Sequence, residues 1–477
     1  MGVGGRRVRL SDASTLLVVS HDVVDVRMAG PGIRYWELAR VVAEQYPVTL
    51  AVPEGTSLLS PDGVRIRTYE PGRWDSLAPM VGDAIAVLLS GDVLAWFPRL
   101  LEDGPPLIID GYDPHTVETL ALFAGTPEQA ERHEARERIL LNQCRAGDFF
   151  ICASERQRDW WLGLLEATGR INSANYARDP SLRALVDVVP FGLRSTKPAH
   201  TMDVLKGVHP RIEQEDKVLL WGGGLWQWLD PLTAIRGMVL VCQERDDVRL
   251  VFPGTRHPNP AVQDMPVRRE SVRLADELDL LDRYVFFGDW VPYDDWPNYL
   301  LEADIGLSLH LDTVEARLAF RSRVMDYLWV DLPMVVTEGD AASDLVSRLE
   351  LGEVVGYGAE DEFADAVLQL LGEGLSESGS RFEEARADLT WERAARPLIA
   401  FCDRPERAPD RREDDVLPAD GTPSHLPVGE GFALRKDLEE QKAEIARLQE
   451  RVSGYENGRF MRLMRWLHRL RHHGGTA

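Results

Sequence analysis

The sequence predicts an α/β protein in which two open parallel sheets, each covered by helices, form separate domains. Three observations predict it. Short apolar runs bounded by turn residues alternate with longer segments of helical period, the pattern of repeated strand and helix units. A glycine-bearing turn follows the opening run of each half, at Gly30 and Gly32 in the first and at Gly222, Gly223 and Gly224 in the second. The chain has 477 residues, more than one hydrophobic core ordinarily serves.

In the first domain, residues 1–192, strands are expected at 15–20, 48–52, 107–110, 149–153 and 186–189. In the second, residues 217–388, they are expected at 217–221, 249–252, 285–288, 305–309 and 333–336. Residues 193–216 mix Pro, Gly, Lys and acids with no clear period and read as the linker between the two. After Phe401 the composition turns to Pro, Arg and Asp, which predicts a flexible tether over 403–430.

Two further segments follow the tether. Leu434, Leu438, Gln441, Ile445, Leu448, Val452 and Tyr455 fall at heptad spacing, broken by Gln441. That predicts a short coiled coil over 431–457 and a homo-oligomer contact through 434–455, against a solvated single helix. From 458 to 477 there is no acid; Phe460, Leu463, Met464, Leu467 and Leu470 share one helical face, and Arg462, Arg465 and Arg469 the opposite one. A basic amphipathic helix with Trp466 on its flank suits an anionic membrane surface, reached through 459–473. The competing reading docks it on the protein's own acidic surface or on a partner.

Bulk properties exclude several classes. A net charge of −24, from 54 basic and 78 acidic residues, argues against nucleic acid as a partner. Cys144, Cys152, Cys242 and Cys402 show no spacing of a zinc site or a disulfide framework and fit a reducing cytoplasm. No apolar stretch approaches the roughly 18 residues a spanning helix needs, and no signal-peptide core follows the basic amino terminus. A cytoplasmic protein, peripheral on the inner face of the plasma membrane, is expected.

The chemistry-bearing residues gather after strands. Arg321 and Arg323 precede an apolar helical run that contains Asp326, and a strand and turn ending at Asp340 follow it. A diphosphate needs amide N–H groups at a helix start and a guanidinium to offset its charge, while a ribose or sugar needs a carboxylate to accept from its hydroxyls. In the first domain, the loop with Gly30, Gly32 and Arg34 opens a helix, and Asp110, Asp113 and His115 lie at and just past a strand. The competing role for Asp113 is to cap the next helix, with Pro114 at its first position. For Arg34, Arg321 and Arg323 it is an ordinary surface position or surface ion pair.

Three quoted stretches carry a resemblance. WGGGLWQWLDPLTAIRGM at 221–238, FFGDWVPYDDWPNYLLEADIGLSLHLD with the TVEARLAFRSRVMDYLWVDLPMVVTEGD after it, and ICASERQRDWWLGLLEATGR with its later DVVPFGL occur in the order found in retaining family-4 glycosyltransferases. The chain resembles that family over roughly 16–401. The resemblance implies the GT-B fold, two Rossmann-like domains facing across a cleft, with residues 389–402 crossing back to the first domain. It implies a sugar transfer with retention and without metal or cofactor, from a nucleoside-diphosphate sugar to a glycan or lipid-linked acceptor, in cell-surface polysaccharide or O-antigen assembly. Donor binding is then expected at Gly222, Gly223, Gly224, Glu315, Arg321, Arg323 and Asp326. The acceptor-side loop carries Gly30, Gly32 and Arg34, and His115 and Asp113 lie beside the reacting sugar carbon.

The chain departs from the family pattern at three places. Asp326 stands at the second of two carboxylates usually separated by seven residues, but Leu318 stands at the first, and Glu315 is the expected substitute. The Arg usual after the second glycine turn is missing, with Trp226 and Asp230 nearby, and Arg236 is the nearest cation to the usual Lys. These departures keep two alternatives open: a non-catalytic scaffold of the same fold, or a nucleotide-sugar epimerase.

Overall fold

The computed structural model describes residues 15–53, 56–102, 104–260, 262–373 and 378–411. The expected coiled coil, the amphipathic tail and the tether beyond residue 411 lie outside the described residues.

Two all-parallel sheets organise the chain. The first contains β1 (Thr15–Val19), β2 (Val48–Pro53), β3 (Val64–Tyr69), β4 (Ala84–Leu89), β5 (Leu107–Asp110), β6 (Phe149–Cys152) and β7 (Val186–Val188), in the order β3-β2-β1-β4-β5-β6-β7. The second contains β8 (Lys217–Trp221), β9 (Val248–Phe252), β10 (Val285–Phe287), β11 (Ile305–Ser308), β12 (Met334–Thr337) and β13 (Gly352–Val355), in the order β10-β9-β8-β11-β12-β13. Helices on both faces explain why central strands read as unbroken apolar runs: β1 is buried at every position, as are β5, β6, β11 and β12. Strand order reverses between β1 and β4 and again between β8 and β11, and each reversal opens a crevice at the strands' carboxyl ends.

Ten strands were expected, and β3, β4 and β13 are additional. β3 is an edge strand, VRIRTY, whose exposed arginines break the apolar run that marks a covered strand. β13, GEVV, is too short and too polar to stand out, and β4, AIAVLL, offers a run that period alone does not separate from a helix.

The carboxyl-end loops of the two sheets meet. Trp290 Nε1 donates to Met28 O at 3.1 Å, Tyr293 N to Val26 O at 2.8 Å, and Asn259 Nδ2 to Asp22 Oδ1 at 2.8 Å. From the other side, Gln157 Nε2 donates to Leu318 O at 2.7 Å and Arg156 Nη1 to Gly339 O at 2.6 Å. The return crossing is also present. Leu193 bridges Thr390, Trp391 packs on Phe191 at 4.8 Å, and Phe401 stacks on Phe149 at 4.9 Å. One continuous apolar cluster therefore runs from Leu38 and Val42 of the first domain through Val324 and Leu328 of the second to Leu398 of the returning helix Arg396–Asp403.

The tether expected from residue 403 is corrected for its first part. Residues 404–411 are strapped along the first domain: Ala408 N donates to Asp148 Oδ1 at 3.0 Å, and Asp410 sits in the fork of Arg170 at 2.7 and 3.1 Å. The polar composition that suggested a free chain supplies partners for charges buried in the domain. Among the described residues, no helix is long and apolar enough to cross a membrane.

Candidate functional site

The turn after β8 lies at the crevice of the second sheet. Gly223 has φ +80°, open to glycine at little strain, and a Cβ on Gly222 would come within 3.2 Å of Arg323 Cβ and 3.0 Å of Tyr327 Oη. Tyr327, buried in the helix Ser322–Trp329, fixes that turn: its Oη lies 2.8 Å from Gly222 N, 3.0 Å from Leu220 O and 2.8 Å from Leu307 O. One phenol thus ties the ends of β8 and β11 to the helix that carries Arg323 and Asp326.

The two arginines of this segment have different fates. Arg323 lies over the Trp221 indole at 5.1 Å, its Nη2 is 3.4 Å from Gly224 O, and its buried Nη1 has no hydrogen-bond partner. Burial, with the neighbouring Arg321 charge, lowers its pKa to about 10, so it remains a cation at neutral pH. Arg321 instead grips Glu315 with both terminal nitrogens, at 3.0 and 2.9 Å. The expectation that both face a diphosphate is therefore corrected for Arg321, because both of its Nη groups are engaged by a carboxylate that is itself buried. Asp326 accepts from Trp296 Nε1 at 3.0 Å, and burial raises its pKa to about 6.

Beside the glycine turn is a cavity of about 190 Å³ lined by Gly224, Trp226, Thr255, His257, Asp264 and Trp290. Trp226 stacks on Trp228 at 5.3 Å with planes 3° apart, and the His257 ring lies 5.5 Å from Trp226 and 5.4 Å from Trp290. Sequence reasoning treated Trp226 only as a missing arginine and passed over Trp290. Two tryptophans closing on one glycine turn become visible only when the loops after β8 and β10 are brought together.

The first domain supplies the opposite wall. Gly30 is placed at the site: a Cβ there would meet Tyr112 Oη at 3.7 Å and Ser322 Oγ, at the start of the Arg323 helix, at 4.0 Å. Gly32 is not; a Cβ there would come within 2.2 Å of Val23 O, so the residue serves the loop's own packing. Arg34 is a correction too. It is fully buried, forks Asp110 at 2.7 and 3.0 Å, and donates to the carbonyls of Val189 and Pro190 at 2.9 and 3.2 Å. It ties helix Gly30–Ala43, β5 and the end of β7 together with four of its five N–H donors and a side chain closed to solvent, so it serves the fold and not an acceptor, nor is it the surface residue considered as the alternative.

His115 opens the helix His115–Leu122, which packs beside Val314–Leu318, the short helix that bears Glu315. Its Nε2 is buried without a partner, its Nδ1 lies 3.3 Å from Glu118 Oε2, and its ring meets His21 edge-on at 5.7 Å. Burial holds its pKa below the ordinary value, which leaves the imidazole neutral at pH 7. Asp113 makes no capping hydrogen bond to the helix. Burial and the charge of Glu118 push Asp113 up to about 8; burial and the charge of Glu315 push Glu118 up to about 8. Glu118, which sequence reasoning did not single out, thus answers to groups on both sides. Among the described residues the one cluster with metal-ligand spacing, His200, Asp203 and Glu302, lies away from this site, and Glu302 is engaged by the N–H groups of Val204, Leu205 and Lys206.

No family model matches the chain. Solved structures do match over most of its length: a trehalose-6-phosphate synthase with a TM-score of 0.59, 13% identical, covering 82% of this chain and 100% of that one. The sucrose-phosphate synthase of Thermosynechococcus elongatus gives 0.54 at 15% identity over 82% and 98% of the two chains. The fold is GT-B. HepE of Anabaena, in complex with UDP-glucose, shares this GT-B architecture at a TM-score of 0.54 and 14% identity, covering 81% of this chain and 98% of that one. In sequence, a chitobiosyldiphosphodolichol beta-mannosyltransferase of Candida albicans is 27% identical over 131 residues, 25% of this chain. The match spans just over a quarter, 28%, of that relative's length.

Proposed function

We propose that this GT-B protein is a glycosyltransferase that moves a sugar from a nucleoside diphosphate to a glycan or lipid-linked acceptor, with retention and without a metal ion. The observation that carries the reading is Arg323: a buried guanidinium with an unpartnered Nη1, held at a glycine turn beside a tryptophan-lined cavity. A buried donor left unsatisfied destabilises a fold, so its retention argues for an anion that completes it and against a scaffold that has lost its donor. The diphosphate takes Arg323 and the backbone of Gly222, Gly223 and Gly224, with the start of helix Ser322–Trp329 behind it. The base fills the cavity between Trp226 and Trp290, where aromatic faces stack on it.

Asp326 serves the ribose, and Glu315 the hydroxyls of the transferred sugar. Opposite them, the neutral His115 offers Nε2 to the reacting sugar, and Asp113 lines the same wall. As the glycosidic bond breaks, negative charge develops on the leaving diphosphate. Arg323 stabilises it there, and the acceptor hydroxyl enters from the face the diphosphate leaves, passing its proton to that anion. The similarity to a mannosyltransferase and to a structure holding UDP-glucose supports the reading. Polysaccharide or O-antigen assembly at the cytoplasmic membrane face, with the segment 459–473 on anionic lipid and a self-association through 434–455, is the setting proposed.

The test is thermal denaturation with millimolar UDP, GDP, ADP and CMP and their sugar conjugates. A ligand at about 100 times its Kd adds roughly 2.7 kcal/mol of stability. Selective stabilisation by one nucleotide, with its release from the sugar conjugate only when acceptor is present, is expected; no shift with any of them overturns the reading.

A further inference from the structure

Arg321 stands two residues from Arg323 and does something different. It lies in a chain of four buried groups: Glu315, Arg321, Asp340 and His310 are 1%, 6%, 2% and 1% exposed. Arg321 meets Glu315 with two parallel hydrogen bonds of 3.0 and 2.9 Å, and its Nε, which has no hydrogen-bond partner, lies at ion-pair distance, 3.5 Å, from Asp340 Oδ2. The same Asp340 oxygen lies 3.4 Å from His310 Nε2, while the other, Oδ1, accepts from Ser343 N at 2.6 Å and caps the helix Ala341–Leu349. His310 is fastened in turn by its backbone N–H, which donates to Thr337 Oγ1 at 3.2 Å. The chain therefore begins at the cleft and ends on the rigid ends of β11 and β12.

Glu315 sits on a helix of only five residues, Val314–Leu318, which alone would leave a long side chain free to choose rotamers. A bidentate guanidinium removes that freedom in both oxygens at once. It does not exhaust them, because an ionised carboxylate offers about four lone-pair sites and Arg321 takes two. Lone pairs remain on both oxygens for vicinal hydroxyls.

We infer that Arg321 is a positioning residue: through the buried chain Glu315, Arg321, Asp340 and His310 it sets the carboxylate that receives the transferred sugar, and it does not touch the diphosphate. This rests on Glu315 being the sugar-binding carboxylate.

The experiment uses the full chain. Arg321→Lys keeps the charge and loses the fork; the double variant Glu315→Gln, Arg321→Gln removes both charges and keeps a neutral pair, guarding against failure to fold. Each is measured for affinity toward the nucleoside diphosphate that wild type selects, and for kcat and donor KM. The expected result is diphosphate affinity within about twofold of wild type in both, with kcat lower by about 100-fold, the scale of a small misplacement at a reacting centre. Arg323→Ala is the control and should weaken diphosphate binding at least about tenfold. Loss of diphosphate affinity in Arg321→Lys comparable to that control, or unchanged kcat, overturns the inference and leaves the donor site standing. Wild-type protein that binds none of the diphosphates overturns the donor site and the role of Arg321 with it.

Discussion

The two walls of the cleft handle charge in opposite ways. On the second-domain wall the charges are fixed: Arg321 holds Glu315 in a bidentate pair, and Arg323 remains a cation with an open valence. On the first-domain wall the groups are held neutral: burial pushes Asp113 and Glu118 up to about 8 and holds His115 below its ordinary value. The difference suits the two substrates of the proposed reaction. On that reading a leaving diphosphate would be met by permanent charge that needs no rearrangement. An entering hydroxyl would be met by groups that can give or take a hydrogen bond without first being desolvated as ions.

The comparison can be broken first at its structural base. Arg34 and Asp110 are charged yet belong to the neutral wall, because they are walled off beneath it. Arg34→Ala leaves Asp110 buried and unpaired, and a loss of about 3–5 kcal/mol in denaturant unfolding is expected. A loss under about 1 kcal/mol would mean that Arg34 reaches the cleft after all.

Next in size is the fixed wall itself. Arg323→Ala should lower kcat/KM by about 3–4 kcal/mol, the effect of removing one preorganised donor from a developing anion. Near-wild-type turnover would show that the diphosphate is held elsewhere. Trp226→Ala should weaken nucleotide binding by about 1–3 kcal/mol, the scale of one base on one aromatic face, and leave acceptor KM unchanged. Movement of acceptor KM instead would place the cavity on the wrong substrate.

The smallest effect sharpens the neutral wall. A carboxyl whose folded pKa of about 8 exceeds its unfolded value binds more protons folded than unfolded, so stability falls as pH rises between the two. His115 has the opposite sign, since its depressed pKa favours the folded state as pH rises, but that change is complete above its unfolded value of about 6.5. Between pH 6.5 and 8.5 the melting temperature should fall, and Glu118→Gln should flatten the slope. An unchanged slope in that variant would show that Glu118 is ionised throughout.

Much of this was legible in the chain. Covered strands such as β1, β5 and β12 announced themselves as apolar runs, and the ordered glycine turns fixed the two-domain layout. Edge strand β3 did not, because an exposed face lets arginine in. The residue pattern pointed to Arg321 and Arg323, and the resemblance to Glu315, but neither showed that Glu315 takes Arg321. In the fold, Tyr327 seats the helix against Gly222, and Arg323 lies on the glycine side. Asp22, Asn259 and the two cavity tryptophans are silent in sequence because their partners lie in the other domain or in another loop.

The shared apolar cluster has a mechanical meaning. Leu38 and Val42, Leu328, and Leu398 belong to segments far apart in the chain yet exclude water together. The helix Arg396–Asp403 lies within that cluster, so parting the two halves would expose apolar surface as well as flex the strip 193–216. Each half keeps a core of its own on one face of its sheet and shares the other face with its neighbour, so neither, cut free, would inherit the stability of the whole.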